Sequence, residues 1–141
     1  MRQEGETRGR RSEEPQAPPE RPEIDANRHL PFQEWAPKFL KIRNIEGVLV
    51  PFKLQPIQLR INALWEKQLA EQGDVRMVIL KPRRVQASSI VQGRMFRTIV
   101  ENSGWQAGVL AHEEQSLQII FSRARTFHTE LPGEMQHEVL R

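Results

Sequence analysis

The hydrophobic positions follow two different periods, and the places where the period changes set the expected order of elements. "LPFQEWAPKFL" gathers Phe32, Trp35, Phe39 and Leu40, the pattern of a short amphipathic piece that docks onto a domain. "FLKIR" and "VLVPF" flank "NIEG" and read as two short strands around an Asn/Gly turn, a small hairpin. After "LQP" a helix is expected with Pro56 near its first position, where a missing N–H costs little. Ile57, Ile61, Leu64, Trp65 and Gln68 share one of its faces, and Gly73 ends it.

"RMVILK" is then a near-continuous apolar run of strand length, which suits a strand covered on both faces in a parallel sheet. A helix over residues 89–101 follows, with Val91, Met95 and Ile99 on one stripe and Phe96 and Val100 widening it. "QAGVLAH" reads as a second buried strand. Residues 113–129 read as a third helix carrying Leu117, Ile120, Phe121, Ala124 and Phe127, closed by "LPG". The order strand, helix, strand, helix predicts an α/β fold with a parallel sheet and right-handed crossovers. No third core strand follows in "LPGEMQHEVLR", so the expected sheet is incomplete and its edge needs cover or a partner.

Residues 1–28 break from this pattern: one isoleucine, no aromatic residue, and Glu and Arg interspersed with proline. Such a stretch buries too little apolar surface to offset its ordering entropy, so a disordered tail is expected there and a single folded unit over 29–141. With 38% apolar and 28% charged residues in 141, the chain belongs with polar globular proteins and has a modest core. No apolar run is long enough to span a membrane, and the N-terminus lacks the apolar stretch of a secretory signal; a cytoplasmic location is the expectation. The absence of cysteine excludes disulfides and thiolate chemistry, whereas Mg²⁺, which needs only oxygen ligands, stays possible.

The net charge of +3 is small, but six basic residues (Arg76, Lys81, Arg83, Arg84, Arg94, Arg97) occupy residues 76–100 with no acidic one between them. That stretch points to a polyanion or to a solvated basic face. Within it, "VILKPRRVQASSIVQGRM" runs from strand through a basic turn into a helix, beyond the carboxyl end of the strand, where open parallel sheets bind ligands. A phosphate cradle needs N–H groups at a helix start, a cation, and a hydroxyl for Mg²⁺. Lys81, Arg83 and Arg84 supply the cation, and Ser88 or Ser89 supplies the cap and the hydroxyl. The strict GxxxxGK[ST] string is absent, with no glycine between Gly73 and Gly93.

Three segments, in order, resemble the N-terminal ATPase part of the large terminase subunit of tailed bacteriophages, the motor that packages DNA. "VPFKLQPIQ" resembles the segment ahead of the first core strand, "ILKPRRVQASSI" the deviant Walker A loop K-x-x-R-x-G-x-S, and "AGVLAHEEQSLQIIFSRARTFHTELP" the next strand and helix. The resemblance covers residues 38–132. It implies an incomplete P-loop NTPase core of the ASCE type, with Gln58 reading adenine, Lys81, Arg83, Arg84 and Gln86 at the phosphates, and Ser88 or Ser89 on Mg²⁺. ATP and Mg²⁺ are the implied cofactors. Double-stranded DNA, a small terminase subunit, a portal protein and further copies in a ring are the implied partners.

Gln86 stands where the family's loop has its glycine, and a Cβ is penalised there if the turn takes a positive φ. The family's strand ending in Asp-Glu and its C-terminal nuclease domain are also missing, so neither efficient ATP turnover nor DNA cleavage is expected of this chain. Two other readings stand beside the motor. One is a non-catalytic nucleic-acid-binding or assembly module using residues 76–97, and the other is part of another ATP-driven motor such as a helicase. Among the remaining residues, His112 reads as a polar strand end and Glu113 and Glu114 as helix-start carboxylates. Arg123 and Arg125 read as a solvated helix face, or as cations for DNA or an adjacent subunit. His128 and His137 lack metal-site spacing.

Overall fold

The structure, a computed structural model, describes residues 22–81, 86–102 and 104–136. The expectation of disorder therefore lies outside the described residues up to residue 21. Over the last part of that expected tail, helix α1 spans Pro22–Asn27. Then come α2 (Phe32–Phe39), a hairpin of β1 (Lys41–Arg43) and β2 (Leu49–Pro51), α3 (Pro56–Gln72), α4 (Ala87–Glu101) and α5 (Glu114–Glu130). A single 3-10 turn follows at Gly133–Met135.

Helix α2 is the centre of the core rather than a docked accessory. Phe32, Trp35, Ala36 and Phe39, spaced to share one face, are all buried, and Leu40 follows them into the interior. Each such large side chain contributes roughly 1.5–3 kcal/mol relative to exposure. The chain leaves α2 straight into the hairpin, where Lys41 pairs with Pro51 and Arg43 with Leu49. Its turn is held by Asn44, whose Oδ1 accepts from the N–H groups of Glu46 (3.0 Å) and Val48 (2.9 Å), and by Gly47 at φ 79°. Phe52, just past β2, packs on Phe127 of α5 with ring centres 6.2 Å apart, and Lys41 pairs with Glu130 at 2.9 Å. Hairpin and α5 are thereby fixed to each other.

Helix α4 crosses this core, and Gly93 makes the crossing possible. A Cβ at that position would lie 3.0 Å from Phe32 Cζ, 3.1 Å from Phe52 Cε1 and 3.3 Å from Leu40 Cδ1. The buried face is not the one the apolar stripe predicts. Ile90, Gly93, Arg94, Arg97 and Val100 are buried, whereas Val91, Met95 and Ile99 are half-buried. In α3 likewise Gln58, Ile61 and Asn62 are buried, while Ile57 and Leu64 are exposed. The reason is common to both helices: Arg94 donates to Asn62 Oδ1 (2.7 and 3.0 Å) and pairs with Glu66, so a polar bridge, not an apolar seam, joins them.

The segments expected as parallel strands, residues 76–81 and 106–112, lie outside regular secondary structure, and the sheet among the described residues is the two-stranded hairpin. Met77 and Ile79 pack against the core while Val78 (90% exposed) and Leu80 (94%) do not, so the apolar run is covered on one face instead of two. Leu110 is fully exposed in the second segment. Ile79 and Lys81 line one cleft with Gly108, Val109 and Leu110, but the two segments form no ladder among the described residues.

Candidate functional site

The start of α4 carries an unusual backbone. Gln86, its N-cap residue, sits in the left-handed region at φ 51°, ψ 21°, and among the described residues no other non-glycine residue has positive φ. For a residue with a Cβ this conformation costs roughly 1–2 kcal/mol, so surrounding contacts must hold it. Two do. The Gln86 carbonyl accepts from the Ser89 N–H at 3.0 Å and from Gln58 Nε2 at 3.0 Å. Gln58 Oε1 in turn accepts from the Gln55 N–H at 2.8 Å, at the start of α3. One fully buried carboxamide therefore ties the first turn of α3 to the first turn of α4. Gln58 is thus a buried bridge between two helices. The spacing Gln55-Pro-x-Gln58 carried a signal for it, since a Glu or Gln three residues after an N-cap reaches back to the cap N–H.

The predicted phosphate residues are divided between two clefts. Lys81 is exposed and lines, with Ser88, Ile79, Val91 and Val109, a cleft of about 360 Å³. Gln86 and Ser89 line another, of about 250 Å³, with Arg43, Ser122, Arg123 and Thr126. A third cleft of about 540 Å³ adjoins the second, sharing Ile42, Arg43 and Gln86 and adding Lys53 and Gln55. The expected roles of Arg83 and Arg84 lie outside the described residues. Ser88 is exposed on the first helical turn and Ser89 is buried, which separates two hydroxyls that the sequence leaves equivalent. Among the described residues no group of three or more His, Asp or Glu could hold a metal ion.

The basic stretch is less available than its composition suggests. Arg76 pairs with Asp74 at 3.0 Å, and Arg97 with Glu101 at 2.8 Å. Arg94 and Arg97 are buried, Arg94 over the rings of Phe32 and Trp65 (4.7 and 5.6 Å) and Arg97 over Trp35 (5.1 Å). Burial lowers the Arg94 pKa, opposed by its hydrogen bond to Glu66, and burial raises that of Glu101, opposed by Arg97.

Arg123 also departs from expectation. Instead of facing solvent from α5 it is half-buried and donates from Nη1 to Gln92 Oε1 of α4, and burial alone lowers its pKa. Arg125 is exposed; His112 is an exposed surface residue 3.6 Å from Glu113, which caps α5; and His137 lies outside the described residues. Sequence reasoning passed over Arg43 and Lys53, which share clefts with Gln86, and Gln92, which accepts from Arg123. Comparisons with protein families, with curated proteins and with solved structures return no match.

Proposed function

We propose that this chain is the nucleotide-binding half of an ATP-driven DNA-packaging motor of the large-terminase type. The observation that carries the reading is the left-handed backbone of Gln86, at the one loop position where the K-x-x-R-x-G-x-S pattern has glycine and directly before the 15-residue helix α4. A turn of that shape aims successive N–H groups at one point, and the helix start adds its positive end. In this reading phosphate oxygens accept from those N–H groups, Lys81 balances their charge, and Ser88 offers its hydroxyl to Mg²⁺. Gln58 fits a holder of the turn better than an adenine reader, because both ends of its amide are already engaged. DNA, a small subunit and a portal remain partners implied by the resemblance.

The rival binding module draws on residues 76–97, of which Arg94 and Arg97 are buried and paired with carboxylates, and this favours the nucleotide reading. Titration with ATP and Mg²⁺ tests it. Lys81→Ala should weaken binding about tenfold, the loss of one charge-assisted contact. Gln86→Gly should tighten binding and stabilise the fold by up to about 1 kcal/mol, as the left-handed penalty disappears and part of the gain returns as glycine entropy. Equal ATP affinities for the wild type and Lys81→Ala would remove Lys81 from the site. Salt-dependent DNA binding with no ATP binding at all would transfer the function to the rival.

A further inference from the structure

We infer that the cleft between the hairpin, the start of α4 and α5 is an anion site for a phosphate group, with Arg123 and Arg43 as its cations. The inference deepens the nucleotide reading and rests on it only for what the phosphate is attached to. The cleft's volume is about 250 Å³, and none of its lining residues is acidic. Its floor holds Arg123, which has no carboxylate partner among the described residues, unlike Arg94 and Arg97. Taking a guanidinium out of water without a counter-charge is costly, and a bound anion removes that cost.

The guanidinium is also aimed. Gln92 is nine-tenths buried and donates from Nε2 to the Ile120 carbonyl at 3.1 Å, which turns its Oε1 toward Arg123 Nη1. The amide cannot flip without losing both bonds. Among the described residues Arg123 Nε and Nη2 make no hydrogen bond, so donors in the planar fork remain for the cleft. Arg43 approaches from β1, its Nη1 fixed by the Gly47 carbonyl at 2.9 Å. Ser89 of α4 and Ser122 of α5 line the cleft as well, and Thr126 Oγ1 donates to the Ser122 carbonyl at 3.0 Å. Donors converging from three elements suit a tetrahedral oxyanion better than a planar carboxylate. The adjoining cleft of about 540 Å³ adds Lys53 to an apolar wall of Ile45, Val50 and Pro51, where the organic part of a phosphate ester would lie. One phosphate group would thus be met on the side of Ser89, beside the cleft that Lys81 and Ser88 line.

The experiment titrates the whole chain with inorganic pyrophosphate and, separately, with ATP, by calorimetry, for the wild type, Arg123→Gln, Arg43→Gln and Lys81→Ala, with circular dichroism confirming that each variant folds. Pyrophosphate should bind the wild type, and Arg123→Gln and Arg43→Gln should each weaken it about tenfold. Arg123→Lys should recover part of the loss. Pyrophosphate binding unchanged in both arginine variants, or absent from the wild type, overturns the inference. ATP binding lost in Lys81→Ala but kept in Arg123→Gln overturns it too, while leaving the nucleotide reading in place. Pyrophosphate binding lost in Arg123→Gln with no ATP binding by the wild type does the reverse. Should Arg123→Gln not fold, the exposed Arg43 carries the same comparison.

Discussion

The two ends of α4 use the same kind of side chain for opposite purposes. Toward its C-terminus Arg94 and Arg97 lie buried over aromatic rings and are matched by Glu66 and Glu101. At its N-terminus Arg123, reaching in from α5, is held by the neutral Gln92 and meets no carboxylate among the described residues, beside a strained turn and a cleft. A buried arginine with its counter-charge inside the fold is part of the scaffold. One whose position is fixed but whose charge is unmatched is set up for something from outside. The carboxylate partner, not the cation, separates structure from binding.

The largest test strikes the scaffold end. Arg94→Ala strips the cover from Phe32 and Trp65 and leaves Asn62 Oδ1 and Glu66 without their donor, and should cost about 3 kcal/mol in urea unfolding. Arg123→Gln should change stability by less than about 1 kcal/mol, because it removes an unmatched charge. Equal costs at the two sites would collapse the comparison. Next in size is the midpoint of the helix. Gly93→Ala gains about 1 kcal/mol of helix propensity but forces three core side chains to move, and a net loss of about 1–2 kcal/mol is expected.

The smallest effect is a slope with pH. Burial raises the Glu101 pKa above its ordinary 4.5, with Arg97 opposing. A carboxyl shifted upward on folding favours the folded state fully below its unfolded value and loses that contribution as pH climbs through the raised one. Stability should therefore fall as pH rises from below 4.5, and Glu101→Gln should flatten that part of the profile. An unchanged slope in the variant would assign the titration to another group.

Local rules carried far along this chain. The Asn/Gly turn, Pro56 at the start of α3 and Gly73 at its end are signals that act within a few residues, and the hairpin and α3 appear where those signals put them. The positive φ of Gln86 was not legible, because it is held by a hydrogen bond from Gln58 of another helix. Helix faces were not legible. Hydrophobic periodicity counts Val91, Met95 and Ile99 as the inner stripe of α4 and has no means of recognising that Arg94 and Arg97 are inside, because their burial depends on Glu66 and Glu101 and on rings contributed by α2 and α3. The runs at 76–81 and 106–112, expected as strands, lie outside regular secondary structure for a related reason. A strand requires a neighbouring strand, and composition does not say whether one is there.

By itself the sequence determined helices α2 to α5 and the hairpin, since these follow from turn chemistry and spacing within a few residues. Tertiary structure alone decided which cations are spent on the core and which are left for a ligand. Gln58 reaches from α3 to the Gln86 carbonyl, Gln92 accepts from Arg123, and Glu66 pairs with Arg94. Each pair is about thirty residues apart or more, and the strength of a charge depends on the partners and the water around it, which only the folded chain brings together.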